Sequence, residues 1–275
     1  MRFDDLSRPP LDAAALTSAL TREGSVWRRV EVLPEAGSTN ALVAERARAG
    51  EAPGLVLVAE HQTAGRGRLD RTWVTPDRAA LTFSMLLEPV GVPAARWPWL
   101  PLLVGIAVAE AVRRVAEVDA SLKWPNDVLV GDRKLAGILL ERVERPDQNP
   151  AAVLGVGLNV SAGADELPVA TATSLRLEGA RTLDRSVLLR ELLRTLEALF
   201  LQWRSERGDP SGGLQPSYVR RCATLGRRVR VDLPTGEALH GEAVGIDADG
   251  RLQVRTATGT RTLGAGDVVH VRAHP

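Results

Sequence analysis

The stretch LKWPNDVLVGDRKLAGILLER, residues 122–142, decides the fold class of this chain. Two turn signals, Pro125-Asn126 and Gly131-Asp132, divide it into short apolar segments with no helix between them. The stretch therefore predicts a strand, a turn, a short strand and a hairpin that leads into a long core strand over 135–142. Strands that follow one another directly are typical of an α+β domain rather than of a doubly wound α/β sheet.

Further elements are predicted on both sides of this stretch. Strands are predicted over residues 27–35, 54–60, 80–87 and 151–160. Helices are predicted over residues 11–22, 38–49, 97–115 and 186–204, the last with Ser186 as its N-cap. Residues 208–217 are rich in Gly, Pro and Ser and mark a boundary, after which short β-branched runs from Gly226 predict a small all-β barrel. We therefore divide the chain into a main domain, 1–220, and a C-terminal barrel, 221–275.

Composition narrows the classes of protein to which the chain can belong. Its 35 basic and 34 acidic residues give a net charge of +1, without the basic excess of nucleic-acid-binding proteins. The one cysteine, Cys222, cannot form an intramolecular disulfide, which fits a reducing compartment. No signal peptide is recognisable, and the apolar stretch 97–112 is too short and interrupted to cross a bilayer. We expect a cytoplasmic protein without nucleic-acid or membrane partners.

The two lysines of the chain, Lys123 and Lys134, are a compositional oddity. They lie eleven residues apart, and every other basic residue is an arginine. Lysine carries a compact ammonium, whereas the guanidinium of arginine is a wide planar fork, so a site that needs a small cation retains lysine. The sequence favours a functional role for at least one of them; two solvated remnants are the alternative.

A second candidate site is the loop HQTAGRGR, residues 61–68. Its glycines allow close approach of the backbone to a ligand, and Arg66 and Arg68 offer forks suited to phosphate or carboxylate. Arg71 follows, and the indole of Trp73 could stack on a flat base. A flexible turn without a ligand, or a nucleic-acid contact, is the alternative.

Three other segments carry polar groups in suggestive places. In KWPND, 123–127, the carboxylate of Asp127 could hold Lys123, orient a partner lysine or help to bind a metal–nucleotide; an ordinary turn is the alternative. GSTN, 37–40, predicts a helix N-cap, which is compatible with hydroxyls that face a ligand. In GVGLNV, 155–160, glycines inside a strand indicate close approach, and Asn159 needs a hydrogen-bond partner if it is buried.

Several other chemistries lack their motifs. The Walker A and GxSxG motifs are absent, and no GxGxxG stands in a strand–helix context. The four histidines show no metal-ligand spacing, and His270 and His274 are predicted to be exposed tail residues.

Taken together, these segments resemble biotin–protein ligases. The matching residues are GSTN (37–40), EHQTAGRGRLDRTW (60–73), KWPNDV (123–128), RKLAGIL (133–139) and GVGLNV (155–160). Their order and spacing match over residues 30–275, and GRGR together with KWPND is a highly specific pairing.

The resemblance implies a fold and a reaction. The fold is an α+β catalytic domain with a central mixed sheet, followed by an SH3-like barrel. In the first step biotin and ATP, with Mg²⁺, give biotinyl-AMP and pyrophosphate. In the second step a lysine of a biotin carboxyl carrier protein, or of a carrier domain of a biotin-dependent carboxylase, attacks the anhydride. Two anions must meet in the first step, so the site needs cations.

The resemblance also implies roles for individual residues. Lys134 would contact the biotin carboxylate and the α-phosphate, and Arg68 would close over the adenylate, so these two are the implied catalytic residues. The biotin-binding residues would be Ser38, Thr39, Asn40, Gln62, Gly65, Arg66, Gly67, Arg68, Lys134 and Gly137. The nucleotide-binding residues would be Arg71, Trp73, Lys123, Asn126, Asp127 and Asn159, with Trp73 near the adenine. The resemblance assigns no metal ligand.

The chain departs from the family in two places. Asp70 stands where the family usually has glycine, with a modest effect expected because Asp tolerates turn conformations. Only 36 residues precede Gly37, too few for the winged-helix domain of bifunctional members. We therefore expect a monofunctional ligase, as a monomer or weak homodimer. A lipoate–protein ligase or octanoyltransferase of the same fold, and a non-catalytic biotin-binding regulator, are the alternatives.

Overall fold

The computed structural model describes residues 8–69 and 71–271, so Asp70 and His274 lie outside the described residues. The main domain contains a seven-stranded sheet. In chain order its strands are β1 (Arg29–Ala36), β2 (Leu55–Gln62), β3 (Ala80–Leu87), β4 (Ser121–Lys123), β5 (Asp127–Val130), β6 (Arg133–Val143) and β7 (Ala151–Asn159). Across the sheet the order is β1-β2-β3-β7-β6-β5-β4, with β1 and β2 parallel and all other neighbours antiparallel. The predicted α+β class with a mixed sheet is confirmed.

Helices cover the two faces of this sheet unequally. The helices are α1 (Ala13–Leu20), α2 (Thr39–Arg48), α3 (Trp99–Ala111), α4 (Arg185–Ser205) and α5 (Leu214–Arg221). Helices α1, α3 and α4 pack together over one face, where the larger apolar core lies. Only α2 of the described helices packs on the other face, over β2, β3, β6 and β7. That face is therefore partly free for a site.

Strand β7 shows how alternation assigns residues to the two faces. Ala152, Leu154, Val156 and Leu158 face the larger core, as expected for every second residue of a strand. Ala151 and Val153 lie in the smaller core with α2. The next residues on that face are Gly155, Gly157 and Asn159, so this part of β7 carries no large apolar side chain.

A buried ion pair joins the sheet to α4. Arg185 Nη1 lies 2.5 Å from Glu60 Oε2, and both side chains are nearly inaccessible to solvent. Glu60 Oε1 also accepts a hydrogen bond from the backbone N–H of Leu11 at 2.6 Å, and Arg185 donates to the carbonyl of Pro9 at 2.7 Å. The network thereby fastens the segment before α1 to the sheet.

The C-terminal region forms a second, five-stranded antiparallel sheet, as predicted. Its strands are β8 (Arg228–Asp232), β9 (Ala238–Ile246), β10 (Leu252–Thr256), β11 (Gly259–Leu263) and β12 (Asp267–His270), in the order β11-β10-β9-β8-β12. Two tryptophans of the main domain hold it: Trp124 Nε1 donates to Gly250 O at 3.0 Å, and Trp99 Nε1 donates to Ala248 O at 2.9 Å. We call this module the barrel.

Two sequence-based details were wrong, and one helix begins inside the predicted boundary segment. Asp184, not Ser186, caps α4, because its carboxylate accepts from the backbone N–H of Ser186 at 2.8 Å. The boundary segment 208–217 overlaps α5, which begins at Leu214. The helix predicted over 97–115 begins at Trp99 and changes at Val112 into a single π-helical turn.

Candidate active site

A cavity of about 460 Å³ opens on the face of the main sheet that α2 leaves uncovered. It is lined by polar residues at the start of α2, the Arg-Gly loop, strands β5 to β7, the segment after β7, and one residue of the barrel. Fourteen of the predicted site residues line it: Ser38, Thr39, Asn40, Gln62, Arg66, Gly67, Arg68, Arg71, Trp73, Asn126, Asp127, Lys134, Gly137 and Asn159. Segments far apart in sequence thus converge on one cavity.

A polar cluster forms one end of this cavity. Ser38 is the N-cap of α2, as predicted, and its hydroxyl accepts from the backbone N–H of Ala41 at 3.4 Å. The backbone N–H and the hydroxyl of Thr39 donate to Gln62 Oε1 at 2.8 and 3.0 Å. The hydroxyl of Ser84 lies 2.8 Å from Thr39 Oγ1 and 2.6 Å from Asn40 Oδ1. This hydrogen-bonded cluster can recognise a small polar group.

Glycines form the floor of the cavity. A Cβ at Gly155 would collide with the amide of Asn40, and one at Gly157 would collide with the indole of Trp73. A Cβ at Gly137 would lie 3.4 Å from the Trp73 ring and 3.2 Å from Lys134 Nζ. The close approach predicted from glycines in a strand is confirmed. The indole of Trp73 covers the floor at Gly157, and its buried Nε1 has no hydrogen-bond partner among the described residues.

Lys134 carries its positive charge into the cavity beside Trp73. Its Nζ lies 2.6 Å from Asp127 Oδ1 and 5.9 Å from the centre of the Trp73 ring system. A bulge between β5 and β6 makes this geometry: Val128 pairs with Ala136 but Leu129 pairs with Lys134, so Leu135 has no partner on β5. The extra residue reverses the alternation, which places Lys134 on the same face as Gly137.

The Arg-Gly loop is folded as a hairpin over the cavity. Arg66 and Thr72 form an isolated antiparallel bridge, and the N–H of Trp73 donates to Gly65 O at 2.9 Å. Arg68 Nη1 donates to Asn126 Oδ1 at 3.1 Å, on the opposite wall. The pKa of the Arg68 guanidinium is lowered, because the effect of burial exceeds the opposing effect of the negative charge on nearby Asp127. The group stays charged at neutral pH because arginine titrates so far above it.

Backbone hydrogen bonds join Lys134 to the segment after β7. The N–H of Lys134 donates to Thr171 O at 2.7 Å, and the N–H of Thr173 donates to Lys134 O at 2.8 Å. Asn159 is buried and donates to Thr173 O at 2.9 Å, which supplies the partner that the sequence required. This segment forms a wall of the cavity, with Pro168, Val169, Thr171 and Ala172 among the lining residues.

Two predicted site residues do not line the cavity. Gly65 is buried at the base of the hairpin, where a Cβ would lie 2.9 Å from Gln62 Nε2. Lys123 lies at the end of the edge strand β4, near enough to Asp267 and His270 of the barrel to lower the pKa of both groups. The proximity of the two lysines in sequence thus does not bring both into the cavity.

Sequence reasoning missed several residues of the site. Ser84 could have been found, because a serine in the apolar strand β3 needs hydrogen-bond partners when it is buried. The wall 168–172 carries no motif. Asp267 lines the cavity although it belongs to the barrel, and no local signal connects it to the Arg-Gly loop.

The prediction for His270 was wrong. It lies half-buried in β12, and its ring nitrogens are 3.2 Å from Thr224 Oγ1 and 3.3 Å from Arg227 Nη1. Burial, followed by the charge of Arg227, lowers the pKa of His270 to about 4. Within residues 8–69 and 71–271, no cluster of three His, Cys, Asp or Glu residues could hold a metal ion. None of the described helices is long and apolar enough to cross a membrane.

Known proteins share both the sequence and the fold of this chain. Residues 34–159 match the Biotin/lipoate A/B protein ligase family, and residues 224–271 match the Biotin protein ligase C terminal domain. The chain is 44% identical over 272 residues to the biotin–[acetyl-CoA-carboxylase] ligase of Mycobacterium tuberculosis, covering 98% of each protein. The chain belongs to the biotin/lipoate A/B protein ligase family.

More distant members of this family also match. The bifunctional ligase/repressor BirA of Escherichia coli is 36% identical over 228 residues, which are 81% of this chain and 68% of that protein. A solved structure of the biotin protein ligase of Aquifex aeolicus, in complex with biotin and ATP, superposes with a TM-score of 0.73 at 28% identity. The match covers 90% of this chain and 100% of that one. The family match extends through both the main domain and the barrel.

Proposed function

We propose that this protein is an ATP-dependent biotin–protein ligase, which forms biotinyl-AMP and then transfers biotin to a lysine of a carrier protein. The observation that best supports this proposal is that Lys134 and Arg68 line one cavity, whose other end is the hydrogen-bonded cluster around Thr39 and Gln62. A ligand that is polar and neutral at one end and a carboxylate at the other suits this arrangement, and biotin is such a ligand.

Biotin lies beside Trp73, between the polar cluster and Lys134, in this proposal. Its ureido group contacts Ser38, Thr39 and Gln62, and its carboxylate reaches Lys134. Trp73 lies between these two ends, over Gly157. We therefore assign Trp73 to the ring and aliphatic chain of biotin, in place of the adenine contact expected from the sequence.

The first chemical step joins two anions. A carboxylate oxygen of biotin attacks the α-phosphorus of ATP, the bond from that phosphorus to the bridging oxygen breaks, and pyrophosphate leaves. The ammonium of Lys134 offsets the charge that the two reactants bring together, and Arg68 does so from the loop. Asp127, 2.6 Å from Lys134 Nζ, holds that ammonium in place.

The second step is acyl transfer to an amine. The neutral amine of the carrier lysine attacks the carbonyl carbon of biotinyl-AMP, the bond to the phosphate oxygen breaks, and AMP leaves as the amine loses a proton. The hairpin over the cavity excludes water, which would otherwise hydrolyse the anhydride. The adenosine part lies towards Asn126 and Asn159.

Mg²⁺ enters with the nucleotide as MgATP in this proposal. Asp127 and Asp267 are the two carboxylates among the described residues that line the cavity, and each already pairs with a basic side chain. Because both carboxylates are already paired, Mg²⁺ would enter as part of the substrate, held by the ATP phosphates and its own waters.

The carrier is the biotin carboxyl carrier protein or domain of a biotin-dependent carboxylase. The enzyme acts as a monomer or weak homodimer in this proposal. The division between a catalytic domain and a barrel at residues 220/221, and a cytoplasmic location where ATP is available, complete the proposal.

The deciding experiment is transfer of radiolabelled biotin to a purified biotin carboxyl carrier domain, with and without MgATP. We expect ATP-dependent labelling of one lysine, and no labelling of a carrier in which that lysine is arginine. Absence of labelling with biotin binding intact by calorimetry would leave a binding protein. Preferential transfer of lipoate or octanoate in parallel reactions would instead identify a ligase for those acids.

A further inference from the structure

The barrel reaches the proposed active site through one acidic residue. Asp267, the first residue of β12, lines the cavity, and its carboxylate pairs with the guanidinium of Arg71. Both oxygens take part: Arg71 Nη1 donates to Oδ1 at 3.4 Å, and Nη2 makes a shorter contact to Oδ2. The adjacent carbonyl of Gly266 accepts from Arg68 Nη1 at 3.4 Å. Two arginines of the hairpin therefore bind one corner of the barrel.

Arg71 connects this corner to the backbone of the hairpin. Its own carbonyl accepts from the N–H of Gly67 at 2.6 Å, across the hairpin. Leu69, at the turn between them, has a left-handed φ of 55°. A non-glycine residue in that region is unfavourable unless its surroundings fix it. The side chain of Arg71 is mostly exposed and does not fix the hairpin by burial, so its hold on the barrel comes from Asp267.

The electrostatics of Asp267 also point to a positioning role. Burial acts to raise the pKa of its carboxyl, but the hydrogen bond and charge of Arg71, together with the charges of Lys123 and Arg68, hold that pKa below its usual value. The carboxylate is therefore ionised at neutral pH. A negative charge repels the anionic substrates of this site, so direct substrate binding does not explain it.

The position of Asp267 is fixed by the barrel and not by the loop. Asp267 pairs with Asp232 of β8 in the antiparallel sheet. The backbone just before it is close-packed, because a Cβ at Gly266 would lie 2.5 Å from Val231 Cγ1. Trp99 and Trp124 in turn fasten the barrel to the main domain. The corner thus offers the hairpin a rigid support.

We infer that Asp267 is a positioning residue of the ligase, which holds the hairpin of residues 65–69 and 71–73 closed through Arg71 while Gly266 holds Arg68. The barrel thereby controls how long the site retains biotinyl-AMP. This inference rests on the proposed function for its ligand, but the closure of the hairpin on the barrel does not. Loss of Asp267 should speed release of the adenylate and opening of the hairpin, and should leave the chemical step nearly unchanged.

The test compares Asp267→Ala and Asp267→Glu with Asp232→Asn. Asp232 is the cross-strand neighbour of Asp267 and pairs with Arg230 at 2.9 Å, but it does not line the cavity. The first readout needs no ligand: the rate at which trypsin cleaves after Arg66, Arg68 and Arg71 in the folded protein. The second is the rate at which preformed biotinyl-AMP leaves the enzyme in a chase with unlabelled biotin and MgATP.

We expect Asp267→Ala to raise both rates about fivefold, the size of effect usual for a half-exposed ion pair. Asp232→Asn should leave both rates unchanged, and Asp267→Glu should recover most of the loss because it retains the carboxylate. The double variant Arg71→Ala/Asp267→Ala should be no faster than Arg71→Ala alone, since either change breaks the same contact.

Several results would overturn the inference. Unchanged cleavage and release in Asp267→Ala would do so, as would equal effects of Asp232→Asn. A slower biotin-dependent ATP–pyrophosphate exchange at saturating substrates, with release unchanged, would assign Asp267 to the chemical step. If no variant forms an adenylate but Asp267→Ala still speeds tryptic cleavage, the proposed function fails and the hold on the hairpin stands.

Discussion

Replacing Lys134 by alanine is the sharpest test of the proposed chemistry. The change removes the ammonium that lies 2.6 Å from Asp127 Oδ1, next to the glycine floor. Two unit charges about 4 Å apart interact by about 4 kcal/mol at an effective dielectric constant of about 20. If about half of this or more is realised only in the transition state, the loss is about 2–4 kcal/mol, or about 30-fold to 1,000-fold in kcat/KM.

The same change should scarcely affect folding. The side chains of Lys134 and Asp127 are 36% and 18% exposed, and ion pairs of this kind contribute about 1 kcal/mol or less. For a chain of 275 residues, an unfolding entropy of about 2.1 cal/mol/K per residue converts this into a fall in Tm of about 2 °C. A large kinetic loss with a small fall in Tm therefore separates catalysis from stability.

The assay is biotin-dependent ATP–pyrophosphate exchange, which reports adenylate formation without the carrier. Lys134→Arg keeps the charge but brings a wider group against Gly137, so we expect it to recover only part of the rate. Lys123→Ala is the matched control, because Lys123 lies outside the cavity lining, and it should lose less than about fivefold. Exchange by Lys134→Ala within fivefold of the parent, or an equal loss in Lys123→Ala, would refute the assignment.

Three further predictions concern the floor, the core and the barrel. Gly157→Ala should weaken biotin binding in calorimetry by about tenfold or more, because the new Cβ displaces Trp73. An unchanged affinity would contradict the assignment of Gly157 and Trp73 to the biotin site. Arg185→Met leaves Glu60 buried and unpaired, which should cost about 3–5 kcal/mol and lower Tm by about 5–9 °C in calorimetry. Adding Glu60→Gln should recover part of this loss, and a Tm of Arg185→Met equal to that of the parent would refute the prediction. The unfolded chain protonates His270 below about pH 6.5, whereas the folded chain does so only near pH 4. The free energy of unfolding, measured by urea titration, should therefore fall by about 1–2 kcal/mol as pH drops through that window, after discounting for solvent screening. His270→Gln should flatten this dependence of unfolding free energy on pH, and a dependence as steep as that of the parent would contradict the prediction.

Local patterns predicted the elements around the site well. The turn signals at Pro125-Asn126 and Gly131-Asp132 divide three strands, and Ser38 caps α2 as its hydroxyl suggested. These features depend on residues a few positions apart, so the sequence contains the information that forms them. Element ends were less accurate, because a competing neighbour such as Asp184 can take the place of Ser186 as a cap.

The contents of the site were predicted only in part. Motif residues converge on the cavity, but Lys123 and Lys134, which the sequence treated as a pair, lie apart. Lys123 is on the edge strand β4, outside the cavity lining, whereas the bulge at Leu135 turns Lys134 onto the face of β6 that lines the cavity. A bulge shifts the alternation by one residue, and the run RKLAGIL carries no local mark of it. The contact of Trp73 with the glycine floor at Gly157 could likewise be described only once the facing strand was known.

The sequence by itself determined the α+β class, the barrel and the family, because each follows from short-range periodicity, turn residues or contiguous motifs. Tertiary structure alone decided that Glu60 pairs with Arg185, 125 residues away, and that Asp267 holds Arg71, 196 residues away. Charged side chains are compatible with many partners and most lie in solvent. Which two meet is set by how the sheet, α4 and the barrel pack against each other, and no local pattern encodes that packing.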